Sequence, residues 1–204
     1  MLIPRKPDNC GDCVDASRRP DVLEAAVLER EMLRQVGQAF DQELMAVQMA
    51  SMDELTLLTN LHGFLGLTQL WLDACQEMNR PASLLYFDLD SFKRINQRYG
   101  RGEGDDALKT FADVLRIAFR ESDVVARVGG DEFAVLLTGS NAVAVAGIRS
   151  RLNEMLDERN ATVKRRYDIR FSIDQIEFDP SRHKTAHALM KAVDRVRHEG
   201  AVQF

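Results

Sequence analysis

Cysteine is scarce in this 204-residue chain: Cys10, Cys13 and Cys75 are the only three. That is too few for the disulfide framework of a small secreted domain. Cys10-x-x-Cys13 has no second pair and no obvious histidine partner, short of the four ligands that tetrahedral zinc needs, and reads as part of a reduced leader. Long apolar runs are also missing. None reaches the roughly 18 to 20 residues of a membrane span, and the start, Met1 to Pro7, carries no long apolar segment, so a cytoplasmic protein with no membrane span is expected. Nor is there an excess of basic charge: 27 Lys and Arg stand against 32 Asp and Glu, a net charge of −5. With no basic stripe, a nucleic-acid partner is not expected, and a small nucleotide is the better candidate ligand. The four histidines, His62, His183, His187 and His198, form no ligand pattern, and His183 with His187 at helical spacing reads as a solvated face.

Proline has little presence, and its placement divides the chain. Three of the five, Pro4, Pro7 and Pro20, fall in residues 1–20, which read as a disordered leader. From Asp21 to about Ser51 there is none, and Leu33, Val36, Phe40, Leu44 and Val47 recur at spacings of three or four. This predicts one amphipathic helix over 21–52, about 45 Å long and too long to lie wholly against a domain this small. It is expected to be a stalk that dimerises the chain as a coiled coil or bundle; the alternative is a helix folded back on its own domain. Residues 53–204 should form one domain, and a hydrophobic content of 45% suffices for one full core. Helical patterns at Gly63 to Asn79, Asp106 to Phe119, Asn141 to Asp157 and Thr185 to His198 alternate with strands near Ala82 to Asp88, Asp123 to Val128, Glu132 to Leu137 and Asp168 to Phe178. The order predicts an α+β sandwich, like a nucleotide-cyclase or polymerase palm, with an antiparallel hairpin at its centre.

The most informative run is Arg127-Val128-Gly129-Gly130-Asp131-Glu132-Phe133, an acidic pair on a double glycine between two strand-like segments. Glycine permits positive φ and leaves room for a phosphate-bearing ligand to approach a hairpin turn. A second acidic strand end lies upstream, in Phe87-Asp88-Leu89-Asp90, where alternation puts Asp88 and Asp90 on one side. Carboxylates from two strand ends, with Lys93 nearby, suit a divalent cation that takes oxygen ligands and shares them with phosphate.

With these residues in view the chain resembles the GGDEF family of diguanylate cyclases, over about three quarters of its length. Asp53-Glu54-Leu55-Thr56-Leu57-Leu58-Thr59-Asn60 is similar to the family's opening motif, Asp88 to Asn96 to its first-strand motif, Tyr99 to Asp105 to its glycine turn, and Gly129 to Phe133 to the signature. The resemblance implies condensation of two GTP molecules into cyclic di-GMP with release of two pyrophosphates, by two domains facing each other in a homodimer. It implies magnesium or manganese held by Asp88, Asp131, Glu132 and the Leu89 carbonyl. Asp131 is the implied general base; Glu132 joins it as a metal or phosphate-side ligand, and Lys93 meets the triphosphate. Asn96 and Asp105 would read guanine, with the alternatives of a turn residue and a helix N-cap respectively. The N–H groups of Ser91, Phe92 and Lys93 would cradle phosphate, and Arg197 stands where the family has a phosphate-binding lysine. Arg120 and Asp123 hold the positions of an inhibitory product site; otherwise they are a helix-terminal cation and a solvated strand start.

The chain also departs from the family pattern. Aligned on Gly200, Met190 replaces an aspartate, Asp194 a tyrosine and Ala201 an arginine; Leu57 stands for a glycine and Asp174 for a glycine. None of these changes removes a metal ligand or a guanine contact, and with Asp88, Asp131 and Glu132 intact the expected protein is an active cyclase, with a regulatory protein partner on the helix. The alternative is a catalytically weak module that binds GTP or cyclic di-GMP and signals through the helix.

Overall fold

The computed structural model describes residues 19–139 and 143–200, apart from the side chains of 19–25, 40–46, 48, 143–145, 194 and 196–200. Cys10, Cys13, most of the expected leader and Ala201 lie outside the described residues. The chain divides into two units, Met1–Val47 and Gln48–Phe204. The first is represented by α1, Arg19–Ala50. It begins two residues before the expected start, with Pro20 in the first turn, where a missing N–H breaks no helical hydrogen bond. Val27, Leu28, Met32, Leu33 and Val36 on it are 63–68% exposed. The seam expected from Phe40 and Leu44 falls on undescribed side chains.

The second unit is built on a four-stranded antiparallel sheet in the order β2-β3-β1-β4. Its strands are β1 (Ala82–Leu89), β2 (Val124–Arg127), β3 (Glu132–Thr138) and β4 (Phe171–Glu177). Its helices are α2 (Leu61–Glu77), α3 (Phe92–Tyr99), α4 (Arg101–Ala118), α5 (Val143–Val163) and α6 (Ala186–Gly200). The β2–β3 hairpin supplies one interior strand, β3, and one outer strand, β2. The outer edge of β2 receives Thr59, whose carbonyl accepts from Arg127 N–H at 2.9 Å.

Alternation sorts the core into two layers. Leu84 and Tyr86 of β1, with Ala134 and Leu136 of β3, join Phe64, Leu72 and Cys75 of α2 and Leu189 and Val193 of α6. Leu85, Phe87 and Leu89, with Phe133, Val135 and Leu137, join Leu108, Phe111 and Leu115 of α4 and Leu152 and Leu156 of α5. Both faces of β1 and β3 are therefore covered. This is why the two strands read as near-continuous apolar runs although the sheet is antiparallel. Phe111 meets Phe87 and Phe133 edge to face, at centroid distances of 5.9 and 5.0 Å, a geometry that aromatic quadrupoles favour.

α4 begins at Arg101, five residues before its predicted start, so Asp105 lies inside the helix and is not its N-cap. Gly102 and Gly104 weaken helix propensity and hid those residues from the periodicity. β1 ends at Leu89. Asp90 lies just beyond it, and its carboxylate accepts at 2.7 Å from the hydroxyl of Ser172, the β4 residue in register with Asp88.

Candidate active site

The acidic pair and the upstream carboxylate meet at one end of the sheet. Register places Asp88 directly opposite Glu132, and the next rung is a hydrogen bond from Leu89 N–H to the Asp131 carbonyl at 3.1 Å. Directly opposed residues share a face about 5 Å apart, and like charges there are destabilising, a cost that a cation between them would offset. Asp88, Asp131 and Glu132 are all half-buried. The Glu132 carboxylate folds back over the turn: a Cβ added to Gly129 would overlap its Oε2 and lie 3.1 Å from its Cδ. A side chain at the first glycine would therefore push the Glu132 carboxylate out of this position.

Among the described residues no three His, Cys, Asp or Glu side chains gather closely enough to hold a metal by themselves. The oxygen donors at this sheet end are instead carboxylates and main-chain carbonyls from two strands. Such an open set fits magnesium, which keeps several waters and is commonly held through one or two carboxylates plus substrate phosphates.

The hairpin is braced from behind by Arg127. Its Nη2 and Nε donate to the Gly130 carbonyl at 2.6 and 3.2 Å, and its Nη1 donates to both carboxylate oxygens of Asp53 at 3.1 and 3.2 Å. Asp53 Oδ1 also accepts from the Thr56 hydroxyl at 2.6 Å and the Thr56 N–H at 2.9 Å. Burial pushes the Asp53 carboxyl up, but these Thr56 bonds and the Arg127 guanidinium outweigh it, and its pKa falls below the ordinary carboxylate value. The opening motif and the signature, 74 residues apart, are therefore one structural element. Sequence reasoning quoted both residues within motifs and missed their pairing, because no periodicity links positions so distant.

α3 follows β1 within two residues. Its N-cap, Ser91, is held at φ 58°, and no side chain caps the helix, which leaves its first N–H groups for an anion. Phe92 is half-buried against the α4 core and Lys93 is exposed. At the other end of α3, Asn96 lies against the backbone of α4. A Cβ at Gly104 would overlap the Asn96 amide oxygen and come within 2.9 Å of its Cγ, so this glycine makes room for the amide beside Asp105, itself half-buried. Arg197 lies within α6, its side chain among the undescribed.

Arg120 and Asp123 stand at the opposite end of β2 from the turn. Asp123 Oδ2 accepts from Arg120 N–H at 3.0 Å, and the two residues border a cavity of about 560 Å³. The structure thus gathers Asp88, Leu89, Asp131 and Glu132 at one sheet end, sets Asn96 against the α4 backbone beside Asp105, and holds Arg120 with Asp123 elsewhere.

Residues 50–199 match the family described as Diguanylate cyclase, GGDEF domain. The chain belongs to this family. Among its relatives is Probable diguanylate cyclase DgcC of Escherichia coli, strain K12, 36% identical over 108 residues, 53% of this chain and 29% of that protein. Diguanylate cyclase TpbB of Pseudomonas aeruginosa, strain UCBPP-PA14, is 40% identical over 110 residues, 52% of this chain and 25% of the relative. These matches thus span about a quarter to a third of those curated relatives. The coiled coil and GGDEF domain of DgcB from Caulobacter crescentus, solved in complex with c-di-GMP, superposes with a TM-score of 0.70 at 25% identity, covering 85% of this chain and 91% of that one.

Proposed function

We propose that this GGDEF domain is a diguanylate cyclase that condenses two GTP molecules into cyclic di-GMP, working as a symmetric homodimer. The observation that carries the reading is the rung of Asp88 opposite Glu132, continued by the Leu89 N–H to Asp131 carbonyl bond, which joins two acidic motifs at one open sheet end. Each domain binds one GTP. Asp105 accepts the paired N–H groups of guanine, and Asn96 pairs with a neighbouring donor and acceptor. Lys93 and the N-terminal N–H groups of α3 hold the triphosphate, with Phe92 behind them and Arg197 adding a cation. Asp88, Asp131, Glu132 and the Leu89 carbonyl would hold magnesium or manganese. When bound, such a cation offsets phosphate charge and eases ionisation of the attacking hydroxyl.

Asp131 takes the proton of the 3′-hydroxyl as that oxygen bonds to the α-phosphorus of the GTP on the facing domain. The bond from that phosphorus to the pyrophosphate oxygen breaks, and pyrophosphate leaves. The same exchange in the other direction closes the ring. Two domains must therefore face each other, and the apolar stripe of α1 is the part of the chain suited to hold them, with a regulatory protein able to act on the same helix. Cyclic di-GMP feeds back through Arg120 and Asp123. Among the described residues no helix is long and apolar enough to cross a membrane, and a cytoplasmic location belongs to this reading.

Incubation of the purified protein with GTP and magnesium should yield cyclic di-GMP and two pyrophosphates per product. Asp131→Ala should abolish synthesis with the melting temperature kept within a few degrees. Protein that binds GTP yet makes no product would support the weak binding module instead.

A further inference from the structure

Arginines crowd the side of α3 that meets the segment joining α5 to β4. Two adjoining cavities lie there, of about 510 and 390 Å³, and Arg98, Tyr99, Arg166 and Tyr167 line both. Arg94 and Arg98 stand four residues apart on one side of α3, away from Asn96, which turns to α4. The guanidinium groups of Arg94, Arg98 and Arg166 are exposed and make no hydrogen bond or ion pair among the described residues; Arg98 lies over the Tyr99 ring, 5.5 Å from its centroid. The acids of the lining are already engaged. Asp168 holds Arg170 at 3.3 Å, Asp90 accepts from Ser172, Glu103 accepts from the Tyr167 hydroxyl, and Asp106 sits 3.8 Å from Lys109. Like charges one helical turn apart repel, and an anion between them would offset that cost.

A buried donor lies in the same wall. Arg165 donates from Nη2 to the Thr110 hydroxyl at 2.8 Å, but its Nη1 is buried and has no partner among the described residues. Such a group is costly without an acceptor, and Arg165 lines the larger cavity. The scaffold that carries these cations is fixed. The Tyr99 hydroxyl donates to the Arg166 carbonyl at 2.9 Å, the Tyr167 hydroxyl donates to the Glu103 carbonyl at 2.8 Å, and the two rings pack 5.1 Å apart. The segment before β4 is thereby tied to α3 and α4, so its arginines are placed before any ligand arrives.

Guanidinium groups pair with phosphate oxygens two bonds at a time, and forks one helical turn apart suit an anion with two charged centres better than one. The smaller cavity begins at Ser91, the N-cap of α3, beside the N–H groups assigned to the triphosphate, while Lys93 does not line it. A diphosphate released there would meet Arg94 next. We propose that this trough is a binding site for inorganic pyrophosphate, held by Arg94, Arg98 and Arg166 with Arg165 in the adjoining wall, and distinct from the triphosphate cradle at Lys93. Its assignment to the pyrophosphate that leaves the active site rests on the cyclase reading. The anion site itself rests on the arginines alone.

Calorimetric titration of the full chain with inorganic pyrophosphate, free of magnesium, separates the two places. Lys93→Ala, which removes the cation of the cradle, should still bind one pyrophosphate per chain, and orthophosphate should bind about tenfold more weakly or worse. Adding Arg94→Ala and Arg98→Ala to that background should weaken pyrophosphate binding about tenfold or more, while the melting temperature holds or rises because repelling charges have gone. Arg98→Lys should behave much like Arg98→Ala, since an ammonium is not a fork. Unchanged affinity without the two arginines, or equal affinity for orthophosphate, would overturn the site. Binding of a hexaglutamate peptide in place of pyrophosphate would overturn it in favour of an acidic protein partner. In the synthesis assay, Arg94→Ala with Arg98→Ala should raise the pyrophosphate concentration needed for half-inhibition about threefold or more and leave the KM for GTP unchanged. A raised KM with unchanged inhibition would assign these arginines to incoming GTP and overturn the product assignment. Pyrophosphate held through these arginines in a protein that makes no cyclic di-GMP would sink the cyclase reading and its link to the leaving group, and keep the anion site.

Discussion

Replacing Arg127 with alanine tests whether the hairpin tip is held from behind. The substitution removes two bonds to the Gly130 carbonyl and a bidentate contact to Asp53. The ion pair is neither a surface pair nor a fully buried one: the side chains of Arg127 and Asp53 are 14% and 23% exposed. Exposed pairs contribute up to about 1 kcal/mol, and breaking a buried one costs about 3–5 kcal/mol. Asp53 would keep both Thr56 bonds and so would not be left bare. A loss of about 2 kcal/mol follows, which for a domain of this size lowers the melting temperature by about 4–8 °C. Synthesis of cyclic di-GMP should fall further than stability does, by tenfold or more, because the turn carrying Asp131 and Glu132 loses its anchor and a misplacement near 1 Å can cost about a hundredfold. Arg127→Lys should recover little, since an ammonium cannot reach Asp53 and Gly130 in one fork. The assays are thermal melting and initial pyrophosphate release at saturating GTP. A melting temperature within 1 °C of wild type together with an unchanged rate would refute the bracing role.

Acid should remove part of the same brace. The Asp53 pKa is lower in the folded chain than the ordinary unfolded value near 3.9, so its contribution is complete above that value and is lost as pH falls through the folded pKa. The melting temperature of wild type should therefore approach that of Asp53→Asn as pH falls below about 4; a gap that stays constant through acid would show that Asp53 does not titrate as argued. Gly104→Ala should raise the KM for GTP about tenfold or more, because the added Cβ occupies the place of the Asn96 amide, and it should narrow the preference for GTP over ATP. An unchanged KM and unchanged selectivity would remove Asn96 from the guanine site. Charged residues at both Phe40 and Leu44 should make the chain monomeric at micromolar concentration, with a rate that rises as the square of protein concentration. Sedimentation showing a fully active dimer would mean that α1 does not hold the domains together.

Residue order alone made much of the fold and of the site legible. The run Ala82 to Leu89 is apolar enough to be a strand covered on both faces. The double glycine between Val128 and Asp131 marks a turn, and the spacing of Asp88, Asn96 and Asp105 carries the family pattern. These signals are local, because strand alternation, glycine freedom and motif spacing all act within about ten residues. The tertiary structure decided what depends on distant partners. The strand order brings Asp88 against Glu132, and Asp53 finds Arg127 across 74 residues. Asn96 against Gly104 explains a helical segment that propensity alone concealed. Leu57, a mere departure from pattern in the sequence, became a strained residue walling a cavity with Trp71 once the chain had folded. Chemistry that needs only a residue type at a spacing can be read from the chain, whereas chemistry that needs two segments in contact exists only after the sheet has chosen its register.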